Sequence, residues 1–183
     1  MEVKELYCQI LGIEEPWRVS QVELDIKRER INVKVVHDEE VRWSCPECGE
    51  LLSVYDHAPE RVWRHLDTCQ FKTYLHARIP RVKCPFHGVR QVKVSWAQTH
   101  SRFTVPFERL AIEVLKEANI EGAARLLRVS WDEAWNLMER AVRRGQKRMR
   151  RRGVKKMGVD EKSLGYQREF QRALELSVSG LGH

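Results

Sequence analysis

Apolar residues recur at helical spacing from Val3 to Leu11 (Val3, Leu6, Tyr7, Ile10, Leu11), and Gly12 followed by Pro16 closes the segment. The pattern then changes period. Val22 to Ile26 and Ile31 to Val35 alternate apolar with polar around the charged link Lys27 to Arg30, which predicts a two-stranded hairpin. From 41 to 97 the chain keeps a β character, with Val54-Tyr55, Val62-Trp63, Phe71 to Ile79 and Val92 to Val94 as strand candidates between Pro, Gly and Asp turns. Beyond Pro106 the period returns to that of a helix. Phe107 to Ala118, Glu121 to Leu127 and Trp131 to about Arg152 are the expected helices, so a domain boundary is placed near 98 to 106.

Charge sharpens this division. The 183 residues carry 33 Lys+Arg against 26 Asp+Glu, a formal charge of +7. Residues 140 to 156 hold ten basic side chains and no acidic one, and without them the balance falls to −3. One basic segment on a slightly acidic chain points to a localised contact with a polyanion. Nothing approaches the ~18 consecutive apolar residues of a membrane span, and no signal peptide is evident, so a soluble cytoplasmic protein with no membrane partner is expected. Five cysteines, two of them in Cys-x-x-Cys spacing, favour a metal over a disulfide framework in a reducing compartment.

Cys45-Pro-Glu-Cys48-Gly49 has the form of a zinc knuckle, with Gly49 allowing the tight turn beneath the ion. Cys84-Pro-Phe-His87-Gly88 repeats that form after 35 intervening residues. Cys45, Cys48, Cys84 and His87 are therefore the predicted ligands of a structural zinc, with Cys69 as the rival fourth ligand. Otherwise Cys8 and Cys69 are expected to be small core hydrophobes. His57, His65, His76 and His100 lack a partner at ligand spacing and are expected at the surface or in packing roles.

Glu121 to Leu127, the brief turn Arg128-Val129, and the capping-box pair Ser130 and Glu133 have helix-turn-helix spacing. If the last helix enters a major groove, Trp131, Asp132, Asn136 and Arg140 approach base edges, with Asn136 the best base reader. Trp135 and Leu137 are expected in the core. Arg140, Arg143, Arg144, Lys147, Arg148 and Arg151 are candidate contacts to double-stranded DNA, and charge-driven binding would weaken steeply with salt.

Together these segments resemble the insertion-sequence transposases of the ISL-three family. The resemblance rests on Cys45-Pro-Glu-Cys48-Gly49, Val62-Trp-Arg-His-Leu-Asp67, Ile79-Pro-Arg-Val-Lys-Cys84, His87-Gly-Val89, Trp96-Ala97, Arg102-Phe-Thr104, Phe107-Glu108 and Gly158-Val-Asp-Glu-Lys-Ser163. It implies an α+β chain: an N-terminal helix and hairpin (1–40), a zinc-binding β domain (41–100), a helix-turn-helix domain with a basic extension (104–152), and the start of an RNase H-like domain (153–183). It also implies Asp160 as the first carboxylate of an acidic triad that holds two Mg²⁺ ions for strand cleavage and transfer. Only 23 residues follow Asp160, where such a domain needs on the order of 100, so the chain is expected to be a truncated, non-catalytic fragment. The function that follows is binding of transposon terminal inverted repeats at the nucleoid, with the same chain or full-length transposase as further partners. Two other readings stand beside it: a catalytic subunit supplying Asp160 to a mixed assembly, and a zinc-dependent protein-interaction module that inhibits intact transposase.

Overall fold

The structure, a computed structural model, describes residues 2–148. The expected start of a catalytic domain, with Asp160, and the basic residue Arg151 lie outside the described residues. Helix α1 (Val3–Leu11) ends at Gly12, whose left-handed φ of 61° lets its amide turn back to the carbonyls of Cys8 and Gln9. The hairpin is longer than its alternation suggests: β1 (Trp17–Asp25) pairs antiparallel with β2 (Arg30–His37). Next come the two-residue strands β3 (Trp43–Ser44) and β4 (Leu51–Leu52), then β5 (Val54–His57), β6 (Arg61–Arg64), β7 (Lys72–Ala77), β8 (Pro80–Cys84) and β9 (Gly88–Gln91). The strand expected at Val92 to Val94 does not form; the pairing partner of β8 is the more polar segment just before it.

Three sheets result: β1-β2-β7-β6, the small β3-β4 pair, and β5-β8-β9. In the first, β2 and β7 run parallel, Ile31 opposite Thr73 and Val33 opposite Leu75. The hairpin of residues 1–40, expected to be a segment of its own, therefore belongs to the same sheet as strands from the zinc-binding region. The inward faces meet in one core containing Trp17, Val33, Val35, Trp43, Trp63, Leu75, Ile79, Val82 and Trp96. Its indoles meet mostly edge to face, Trp17 and Trp96 at 5.0 Å and 82°, Trp63 and Trp96 at 5.7 Å and 88°, the arrangement their quadrupoles favour. Where β2 and β5 end, His37 Nε2 lies 2.8 Å from His57 Nε2. The ring centroids are 5.1 Å apart and the ring planes lie 15° from parallel. Burial first, then the neighbouring His37, lowers the pKa of His57.

Cys8 is half-buried and takes the Val19 amide at 3.4 Å, but Cys69 is not a core residue. It is exposed at a turn with φ 55°. His65, by contrast, is buried.

The helical part comprises α2 (Val105–Glu117), α3 (Ile120–Leu127) and α4 (Trp131–Arg148). Pro106 falls within the first turn of α2, where its missing N–H costs nothing. The chain divides into two units between Phe107 and Glu108. That is just past the expected boundary, because Phe107 stacks on Phe103 at 4.9 Å and, with Tyr74, sandwiches the Arg64 guanidinium. Among the described residues no helix is long and apolar enough to cross a membrane.

Candidate metal centre and nucleic-acid interface

Two turns of the same build supply the metal ligands. In the first, the Gly49 amide donates to the Cys45 carbonyl at 2.8 Å and the Cys45 amide to the Glu50 carbonyl at 2.8 Å, with Gly49 at φ 80°. In the second, Cys84 pairs with Gly88 at the mouth of the β8–β9 hairpin, and Gly88 has φ 68°. A side chain at either glycine would meet open space but an unfavourable backbone, so the left-handed conformation accounts for the repeated glycine.

The ligating atoms of Cys45, Cys48, Cys84 and His87 all lie within 4.8 Å of one another. Cys48 Sγ to Cys84 Sγ is 3.7 Å, Cys84 Sγ to His87 Nδ1 is 3.5 Å, and Cys45 Sγ to His87 Nδ1 is 3.9 Å. Zinc–sulfur and zinc–nitrogen bonds of about 2.3 and 2.05 Å at tetrahedral angles require separations of about 3.8 Å between sulfurs and about 3.5 Å between sulfur and nitrogen. The four residues fit a tetrahedral zinc ion, and Cys69 is not among them. The Cys45 thiol is lowered to about 7, mainly by the Cys48 backbone amide, toward the thiolate that binds metal. Four protein ligands leave no position for a reactive water, so the zinc is structural.

In the helical unit, Asn119 caps α3 by accepting the Gly122 amide at 2.8 Å. A Cβ at Gly122 would approach that oxygen to 3.1 Å. Arg128 then takes the left-handed φ of 56°, and its amide and that of Val129 close α3 on the carbonyls of Arg125 and Ala124. The capping box at the start of α4 is complete. Glu133 N–H donates to Ser130 Oγ at 3.1 Å, and Ser130 N–H donates to Glu133 Oε2 at 2.9 Å. Local hydrogen bonding thus fixes both the turn and the start of the second helix.

The inward stripe of α4 is Ala134, Leu137 and Ala141, and this corrects one expectation. Leu137 is in the core, but Trp135 is not: it is 42% exposed and stacks on Trp131, itself 52% exposed, at 5.3 Å and 10°. Asp132 and Asn136 are exposed alongside. Arg140 and Arg144, expected as DNA contacts, have partners within the helical unit. Both turn to Glu108, a carboxylate only 1% exposed: Arg140 bonds one oxygen and Arg144 the other at 3.0 Å. They supply the cationic partners that a buried carboxylate needs. Arg143, 66% exposed, pairs with its helix neighbour Glu139 at 2.7 Å, and Lys147 is exposed. Arg148 is the last described residue of α4.

Comparison with known proteins agrees with these two sites. Residues 41–87 match the family model described as the zinc-finger of transposase IS204/IS1001/IS1096/IS1165, and residues 92–142 match the helix-turn-helix domain of transposase family ISL3. Two curated relatives, from Mycobacterium tuberculosis strains CDC 1551 / Oshkosh and ATCC 25618 / H37Rv, are each described as the transposase for insertion sequence element IS1557. Each is 28% identical over 172 residues, which cover 91% of this chain. The matched region spans 38% of each relative. No solved structure matches.

Proposed function

We propose that the chain, whose zinc-finger and helix-turn-helix segments match ISL3-family transposase models, binds the terminal inverted repeats of its own insertion sequence. The observation that carries this reading is the capped start of α4, which follows α3 after a three-residue turn and leaves Trp131, Asp132 and Asn136 exposed where a recognition helix meets base edges. In this reading Asn136 pairs with an adenine edge, while Arg143, Lys147, Arg148 and Arg151 serve the phosphates. Arg140 and Arg144 hold the helix in place through Glu108. Zinc holds the β unit in shape and takes no part in reaction.

Anisotropy of labelled duplexes tests the reading. The zinc-loaded chain should prefer the repeat that flanks its gene over a scrambled duplex by about a hundredfold or more, with affinity for both falling steeply as salt rises. Equal affinity for the two duplexes would overturn sequence-specific binding. Loss of binding to both at low salt would overturn DNA binding itself.

A further inference from the structure

Trp131 and Trp135 are large apolar side chains on the solvent side of α4. Their rings lie one helical turn apart and nearly parallel, so each stiffens the other and together they present a flat apolar surface at the start of the helix. The polar side chains beside them suit base edges better than phosphates. Asn136 matches the donor and acceptor of adenine, Asp132 can accept from the cytosine amino group, and its carboxylate repels phosphate. Exposed cations come later, at Arg143 and Lys147, two to three turns beyond. The helix therefore changes along its length from apolar and base-reading chemistry to phosphate-binding chemistry.

From this arrangement we propose that the Trp131–Trp135 stack reads the C5-methyl groups of thymine in the major groove, making these two residues determinants of sequence specificity. The methyl group is the apolar feature of the major-groove floor, and an apolar side chain is its natural partner. The stacked geometry also selects the mode of contact. A lone exposed indole could wedge between base steps, but two parallel rings with centroids 5.3 Å apart would first have to separate, so they offer an outer face and a shared edge to methyl groups instead. The proposal rests on the reading that α4 enters the major groove, and its test is arranged so that the two can fail separately.

The experiment replaces each thymine of the terminal-repeat duplex in turn by deoxyuridine, which removes the methyl group and keeps the base pair. For the zinc-loaded chain, uridine at one or two neighbouring positions should weaken binding about three- to tenfold, as expected for loss of one buried methyl. Trp131→Ala and Trp135→Ala should bind the thymine and uridine duplexes alike, while Trp131→Phe keeps part of the discrimination. Circular dichroism of the variants should match that of the parent, because both rings are half exposed. Unchanged affinity for every uridine duplex, with repeat-specific binding lost in Asn136→Ala, would overturn this inference and leave the binding reading standing. Failure to distinguish repeat from scrambled duplex would overturn both. A chain that is dimeric, becomes monomeric on Trp131→Ala and shows no methyl dependence would show that the stack binds a second copy instead.

Discussion

The β unit and the helical unit each bury an ionisable side chain, and they dispose of its charge in opposite ways. In the β unit, His65 is 4% exposed, and its Nδ1 lies 2.9 Å from Thr104 Oγ1. Burial first, and the Arg64 guanidinium second, push its pKa down to about 4, so the imidazole is neutral under ordinary conditions. In the helical unit, Glu108 is more deeply buried and is gripped by Arg140 and Arg144. His65 gives up its charge, whereas Glu108 meets two cations. The β unit relies on a metal to join distant turns, whereas the helical unit ties α2 to α4 with a cluster of side-chain ions as well as apolar packing. Each variant below should therefore leave its mark on one unit.

The largest effect belongs to the metal. Structural zinc contributes on the order of 10 kcal/mol in small zinc domains, so chelation or Cys84→Ser should unfold the β unit. Its readout is the near-UV signal of the clustered Trp17, Trp43, Trp63 and Trp96. Far-UV helicity from 108–148 should largely remain. Parallel loss of both signals would show that the helical unit depends on the metal too, and the contrast between the units would collapse.

Next is the buried carboxylate. Glu108→Ala leaves two arginine side chains, 33% and 19% exposed, without their anion and should cost about 3–5 kcal/mol in urea unfolding. Replacing Glu108, Arg140 and Arg144 together by Met and Leu should recover much of that loss, since apolar packing often substitutes for a buried ionic group. A cost below about 1 kcal/mol for the single change would mean that water already solvates the cluster.

The pH response should separate the units more gently. The pKa of His65 is lowered from 6.5 to about 4, so the unfolded chain takes up its proton first as pH falls. The stabilisation is complete above pH 6.5 and is lost progressively between 6.5 and about 4, amounting to about 3 kcal/mol. Unfolding of the parent and of His65→Gln at pH 7.5, 5.5 and 4.5 isolates this contribution, because protonation of the zinc ligands is common to both proteins. Identical pH profiles would show that His65 is not held neutral.

What the sequence made legible follows the same divide. The zinc ligands could be read directly because coordination depends on residue identity at short spacing, and the repeated Cys-Pro-x-(Cys or His)-Gly carries both the ligands and their turns. The parallel pairing of β2 with β7 could not, since it joins Ile31 to Thr73 across an intervening stretch whose own strands are only two to four residues long. In the helical unit the elements were legible and their faces were not. Large residues were weighted as core, yet Ala134 and Ala141 flank Leu137 inside while Trp135 faces outward. A signal for the ion cluster was nevertheless present: Glu108 shares the apolar stripe of Phe107, Ala111, Ile112 and Leu115, and a carboxylate there requires cations such as the i,i+4 pair Arg140 and Arg144.

The smallest expected effect comes from the feature that local sequence described best. Ser130 and Glu133 satisfy one another's backbone amides at 3.1 and 2.9 Å on an exposed turn, so water can replace either side chain at moderate cost. Ser130→Ala should lower stability by about 1 kcal/mol, and Ser130→Asp, which keeps an accepting oxygen, should restore most of it. Chemical denaturation of the two variants side by side measures this. Affinity for the terminal repeat should fall less than twofold in Ser130→Ala, because the start of α4 is also held by the Ala134 amide on the Ser130 carbonyl at 3.0 Å and by the buried Ala134 and Leu137. A tenfold loss of affinity at unchanged stability would show instead that the Ser130 hydroxyl itself touches DNA, and the cap would then belong to the interface as well as to the fold.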